Sequence, residues 1–252
     1  MSRTPTEVAD RVGSVFAEVF DRLADWRTAI EARLGTGRDI RPADLDDAVA
    51  DLVLPRLEAD DPLLVGAGFI ADGEVVRGRD VHFAWWLGPL DDNPVLGSTD
   101  RPTRLDLSTR GYAEYLRDFR ALEWYRIPAT TRRAHVTGPY VDHLCTCDYI
   151  LTLTMPVHVA GLAGAAGAAG SDAMVGVVGA DIAVRRLERA LLGAFLEVDA
   201  PLALVNEHGR VVLSTDPALQ VGQLAPAAAG ASIGCPGTPF SVLVGPVGPG
   251  AS

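Results

Sequence analysis

Apolar residues fall at three-to-four spacing from Val8 through Val12, Val15, Val19, Leu23 and Trp26 to Ile30, which predicts a long amphipathic helix. Thr4-Pro5-Thr6-Glu7 ahead of that stripe has the form of a capping box with proline at the first helical position. The stripe ends near Gly35-Thr36-Gly37, and Leu45, Val49, Leu52 and Val53 predict a second helix before Pro55. From Leu63 the period shortens. Leu64–Ile70 and His82–Leu87 read as strands, with Ala71-Asp72-Gly73-Glu74 as the turn between them. If the second strand is extended, Trp85 and Trp86 project one indole to each sheet face.

Tyr112 to Phe119 reads as a short helix with Tyr112, Tyr115, Leu116 and Phe119 on one side. Ile150–Val157 alternates apolar and hydroxyl side chains, as a half-buried strand does, and Val175–Ile182 is its expected partner. Between them, Gly161–Ser171 is an Ala/Gly tract read as a flexible hairpin loop. Leu187, Leu191, Leu192 and Phe195 predict a connecting helix over 185–195. Leu202–Leu213 then reads as strand, polar turn and strand, followed by a last strand over Phe240–Val244. The pattern therefore predicts an α+β chain: a helical region over 1–60, a larger sheet module over 61–184, and a connecting helix with a smaller module over 185–252.

Composition narrows the function. The chain has 252 residues, 48% hydrophobic and 22% charged, which is ordinary for a soluble globular protein. A net charge of -11 argues against direct binding to a nucleic-acid backbone, which needs a clustered basic surface. All 22 basic residues are arginine, a bias from which no mechanism follows. The three cysteines, Cys145, Cys147 and Cys235, do not make a disulfide framework. Charged residues interrupt every apolar stretch near the N-terminus, so neither a leader nor a membrane span is expected, and the location expected is cytoplasmic.

His143, Cys145 and Cys147 alternate along the chain and would share one side of an extended segment, but they lack the second ligand pair of a structural zinc site. A Cys/His hydrolase would use Cys145 or Cys147 with His143 or His135 as base, yet no nucleophile elbow or phosphate-cradling loop accompanies them. The expectation is no enzyme, no metal and no cofactor.

Trp124-Tyr125, Gly138-Pro139-Tyr140-Val141-Asp142 and Val175–Ile182 set aromatic residues and two acids, Asp142 and Asp181, around the closing strands of one sheet. Read singly, Trp124 and Tyr125 fit core packing, Asp142 a turn, and Asp181 a helix cap. In their order they resemble the double Cache sensor family, over most of the chain from Thr4 to Val244. That resemblance implies a long N-terminal helix followed by two PAS-like modules with antiparallel sheets, and a ligand pocket in the first. It also implies that Trp124, Tyr125, Tyr140, Asp142 and Asp181 touch the ligand, with Trp85 closing the pocket.

The family's amino-acid-binding subgroup grips the ligand carboxylate with an arginine two residues before the tryptophan, where this chain has Leu122, and places a tyrosine where this chain has Arg117. Arg117, Arg120 or Arg126 would have to substitute, and Arg120 is the candidate retained. What is left intact is the half of the pocket suited to a cation, which points to a small amine or quaternary ammonium ligand. Output would pass in trans to a regulator or kinase, and the first helix could also serve a homodimer. The competing expectation is an interaction scaffold with a vestigial pocket.

Overall fold

The computed structural model describes residues 4–35, 40–60, 62–93, 97–105, 116–142, 148–160, 173–226 and 230–245. The predicted capping box is formed. Glu7 Oε2 accepts the Thr4 N–H at 2.9 Å and Thr4 Oγ1 accepts the Glu7 N–H at 3.4 Å, so helix α1 (Pro5–Gly35) starts where its sequence signal stands. Its apolar stripe from Val8 to Leu34 is buried, and Glu7, Asp10, Arg11, Ser14 and Glu18 take the exposed side. Helix α2 (Pro42–Leu57) opens on proline and buries Leu45, Val49, Val53 and Leu57, one residue per turn.

Strands β1 (Leu64–Val76) and β2 (Arg79–Leu87) form the first hairpin. The turn is not at Ala71–Glu74. The strand runs on to Val76 and the chain reverses at Arg77-Gly78, while Gly73, at φ 93°, sits within the irregular register between Asp72 and Val76. A left-handed glycine inside a strand absorbs the extra residues of a bulge, so the Asp-Gly signal marks an irregularity here rather than a reversal.

Two short strands, β3 (Leu90–Asn93) and β4 (Gly97–Thr99), pair with each other, and β5 (Thr103–Arg104) edges β2. A 3₁₀ segment (Leu116–Ala121) leads into helix α3 (Glu123–Thr131), followed by β6 (His135–Val141), β7 (Tyr149–Val159) and β8 (Ala173–Ala183). The predicted pairing of the last two is present, with Leu151 opposite Ile182 and Thr152 opposite Asp181. Together these strands make one antiparallel sheet in the order β5-β2-β1-β8-β7-β6. Tyr112–Tyr115, His143, Cys145, Cys147 and the Ala/Gly tract 161–171 lie outside the described residues.

Helix α4 (Val184–Leu196) follows β8 directly and buries Val184, Leu187, Leu191 and Phe195. A second antiparallel sheet has the order β10-β9-β12-β11, built from β9 (Leu202–Val205), β10 (Val211–Ser214), β11 (Ser232–Gly234) and β12 (Ser241–Val244). The short strand β11 is absent from the sequence reading, since three residues are too few to show an alternation. Helix α1 packs on β7 and β8 of the first sheet and on β11 and β12 of the second. Phe16 meets Phe240 with ring centroids 4.8 Å apart, and one apolar cluster runs continuously beneath the helix from Phe69 and Leu153 to Leu204 and Val242. Among the described residues, no helix is long and apolar enough to cross a membrane.

Candidate functional site

Residues directly opposite in an antiparallel sheet share a face, so the register sorts the first sheet into two sides. One side carries Phe69, Ala84, Trp86, Leu153, Ala180 and Ile182, in the apolar cluster beneath α1 and α2. The other carries a row Gly66, Asp181, Thr152 and beside it a row Trp85, Gly68, Gly179, Thr154. The two tryptophans divide as the alternation predicts, Trp86 in the helix-covered core and Trp85 in the opposite cluster.

The glycines make room for Trp85. A Cβ at Gly66 would stand 3.0 Å from Trp85 Nε1 and 3.0 Å from Asp181 Oδ2, and one at Gly179 would stand 3.3 Å from Trp85 Cη2. The indole therefore lies across β1 and β8, and its N–H end and the Asp181 carboxyl flank the same point above Gly66. Asp181 sits inside β8, and the N-cap of α4 is Ala183 with no side-chain cap bond. Its carboxyl is not a helix cap.

Asp181 Oδ1 accepts the Thr152 hydroxyl at 2.6 Å, and Thr152 Oγ1 is 2.7 Å from the Tyr140 hydroxyl. With the Thr152 proton directed at an ionised Asp181, the Tyr140 hydroxyl becomes the donor to Thr152, giving a chain Tyr140 to Thr152 to Asp181. Burial pushes the Asp181 carboxyl up to about 7; the Thr152 hydrogen bond opposes that shift and the nearby Asp142 adds to it. Asp142 follows β6, is buried, and donates its backbone N–H to the Asp148 carbonyl at 2.9 Å. Two buried carboxyls thus stand in one electrostatic neighbourhood, where a proton or a cation is stabilised.

Helix α3 lies over this face. Its Trp124 carbonyl accepts the Thr154 hydroxyl at 2.7 Å, which ties the helix to β7. Phe119 links the aromatic groups, edge-on to Tyr125 at 4.9 Å and to Phe83 at 5.5 Å, and stacked with Trp124 at 6.2 Å. The Tyr125 hydroxyl donates to Asp72, and Arg120 grips the same carboxylate, with Nε 2.9 and 3.1 Å from its two oxygens. Burial raises the Asp72 carboxyl, but the bonds from Arg120 and Tyr125 outweigh it and hold the group below its ordinary value. Burial, and then Asp72, pushes the Tyr125 phenol well above its usual range.

The structure brings together Asp181, Asp142, Tyr140 and Trp85, and α3 is tied to the same face where its Trp124 carbonyl accepts the Thr154 hydroxyl, whereas the Tyr125 hydroxyl is committed to Asp72. It does not bring Arg120 to the acid pair: that guanidinium is engaged by Asp72 at the irregular end of β1 and stacks over the Phe119 ring at 5.0 Å. Leu122 is the N-cap residue of α3 and makes no side-chain cap bond. Sequence reasoning missed Thr152, Gly66, Gly179 and Asp72. The first three left a signal in the hydroxyl alternation of β7 and the glycines of β1 and β8, whereas Asp72 was assigned to a turn. Among the described residues, no group of three or more His, Cys, Asp or Glu side chains is placed to hold a metal ion.

No family model matches the chain, and no curated protein matches it. Solved structures do. The chain is similar to the ligand-binding domain of the Pseudomonas aeruginosa PAO1 amino acid chemoreceptor PctC in complex with GABA, at 18% identity and a TM-score of 0.58, covering 95% of this chain and 94% of that one. The ligand-binding domain of the Pseudomonas fluorescens chemoreceptor CtaA in complex with L-valine matches at 16% identity and TM-score 0.56, covering 96% and 93%. The periplasmic sensory domain of the Campylobacter jejuni chemoreceptor Tlp1 matches at 10% identity and TM-score 0.60, covering 94% and 90%. With its long first helix, six-stranded sheet and smaller second sheet, the chain has the fold of the Cache-type sensor domains.

Proposed function

We propose that the chain is a small-molecule sensor domain whose ligand is a small amine or quaternary ammonium compound bound on the face of the first sheet beneath α3. The observation that carries this reading is the buried carboxyl pair, Asp181 with Asp142, with the Trp85 indole beside it and Tyr140 joined to it through Thr152; Trp124 and Tyr125 on α3 are the further aromatic contacts we propose. A primary amine would donate to Asp181 and take the place of a proton on it. A quaternary ammonium group has no N–H to give and would rest on the charge of the acids and on the aromatic faces, each worth about 0.5–2 kcal/mol when desolvated. The site has acceptors, and Arg120, the arginine expected to serve a ligand carboxylate, is committed to Asp72 instead.

Ligand binding here would shift the population of arrangements of α3 and the loops beside it. The signal would pass to a regulator or kinase partner in trans, as suits a fold that serves chemoreceptors in its structural neighbours. Thermal denaturation with choline, putrescine and benzylamine, set against a panel of amino acids, tests the ligand class. An amine should raise the melting temperature of the wild type, more at about pH 8 than at about pH 6 because Asp181 must be ionised, and should leave Asp181→Asn unmoved. Stabilisation by amino acids with all amines inert overturns the assignment. Cell fractionation tests the cytoplasmic location expected from the sequence, and recovery from the periplasm refutes it.

A further inference from the structure

Trp85 brings a hydrogen-bond donor to the acid pair as well as an aromatic face. Its indole is seated over two glycines: a Cβ at Gly179 would stand 3.3 Å from Cη2 at one end of the ring system, and one at Gly66 would stand 3.0 Å from Nε1 at the other. The point above Gly66 is also 3.0 Å from Asp181 Oδ2 and 3.4 Å from Leu87 Cδ2. Donor, carboxylate oxygen and an apolar methyl therefore border one small space. Trp85 is 6% exposed and Asp181 9%, so both polar atoms belong to side chains more than nine-tenths buried.

Asp181 gives Oδ1 to the Thr152 hydroxyl, and among the described residues neither its Oδ2 nor the Trp85 N–H has a hydrogen-bond partner. A buried indole N–H ordinarily finds an acceptor. A site with such groups separates a ligand that pairs them from an analogue that leaves them unpaired. The two atoms ask for complementary things. Oδ2 of the ionised acid accepts and the indole donates, so a molecule that satisfies both carries an ammonium and an accepting oxygen close together. That oxygen is neutral: a carboxylate at the indole would stand beside Asp181 and Asp142 as a third like charge, and Asp72 holds the Arg120 guanidinium that could offset it. The Leu87 methyl supplies an apolar wall for the carbons between the two heteroatoms.

We propose, on the footing of the amine reading of this site, that the ligand is a 2-amino alcohol whose ammonium rests on Asp181 and whose hydroxyl oxygen accepts the Trp85 indole N–H. Trp85 then sets specificity through its nitrogen as well as its ring. Without that contact the opposite preference would hold, because a methyl in place of the hydroxyl packs against Leu87 and the indole with no polar group to desolvate.

Titration calorimetry on the wild type and Trp85→Phe compares ethanolamine with propylamine, which has a methyl where ethanolamine has its hydroxyl, and with glycine, at about pH 8 where Asp181 is ionised. Ethanolamine should bind the wild type roughly three- to tenfold tighter than propylamine, the worth of one neutral hydrogen bond, and glycine should not bind. Trp85→Phe keeps a ring and loses the N–H, so it should bind the two amines alike. Proton–nitrogen correlation spectra of the wild type read the same contact without a variant: the Trp85 indole resonance should move downfield with ethanolamine and not with propylamine. Propylamine binding as tightly as ethanolamine overturns the amino-alcohol assignment and leaves the amine reading standing. A preference for ethanolamine kept in Trp85→Phe also overturns it, placing the oxygen on another group. Silence toward ethanolamine beside a response to putrescine or benzylamine does the same, whereas silence toward every amine takes the amine reading with it.

Discussion

The two faces of the six-stranded sheet are made from the same strands, residue by residue in alternation, yet they are built for different ends. Beneath α1 and α2, Phe16, Leu23, Phe69, Leu151 and Leu153 are fully buried and the cluster is apolar throughout. On the other face the strands place Gly66, Gly68, Gly179, Thr152, Thr154 and Asp181 where large apolar residues would give more packing. A face that surrenders apolar volume for glycine, hydroxyl and carboxyl groups gives up stability in return for a chemical environment, as sites commonly do.

Four substitutions probe that contrast. Phe16→Ala on the helix-covered side should cost about 3–5 kcal/mol by denaturant unfolding, since it removes a fully buried ring packed against Phe240. A cost below about 1 kcal/mol would mean that this face does not dominate stability.

Asp181→Asn should act in the opposite direction. The folded-state value near 7 lies above the ordinary carboxylate value of about 3.9, so the folded protein holds this proton longer than the unfolded chain. Stability contributed by the protonated form is therefore present below about pH 4, declines as pH rises, and is lost above about 7. The variant should gain on the order of 2–4 kcal/mol relative to wild type at about pH 8 and nothing at about pH 4, read from unfolding midpoints across pH. A pH-independent difference would show that the carboxyl is not held protonated by burial.

Smaller is Gly66→Ala. The new methyl would stand 3.0 Å from both the Trp85 indole nitrogen and Asp181 Oδ2, forcing one of them aside at about 1–3 kcal/mol. Near-ultraviolet circular dichroism should report the displaced indole; an unaltered tryptophan signal with full stability would mean that the glycine is not making room for it. The smallest effect is expected from Asp72→Asn, about 1 kcal/mol, because its partner Arg120 is half exposed and screened by solvent. The Tyr125 phenol should then titrate nearer its ordinary range in ultraviolet absorbance, and no movement would show that Asp72 does not perturb it.

Elements with a long period or a chemically distinct end were legible in the chain. The stripe from Val8 to Leu34 and the Thr4–Glu7 box locate α1, and the alternation of Ile150–Val157 identifies β7 and its partner β8. The reversal after β1 was not legible, because Asp72-Gly73 carries the same chemistry in a bulge as in a turn and pairing with β2 decides between them. Arg120 was chosen for its charge, and only the fold shows that Asp72, 48 residues earlier, already holds it.

Local periodicity, caps and strand alternation thus settled the helices, most strands and which side chains share a face, since those depend on neighbours within a turn or a pleat. The identity of the groups that meet did not follow from them. Asp181, Thr152 and Tyr140 are joined by strand register, and the Trp85 indole lies beside the Asp181 carboxyl because glycines from β1 and β8 lie opposite each other. Burial and proximity between distant segments raise the Asp181 carboxyl toward neutrality, and both are properties of the packed chain.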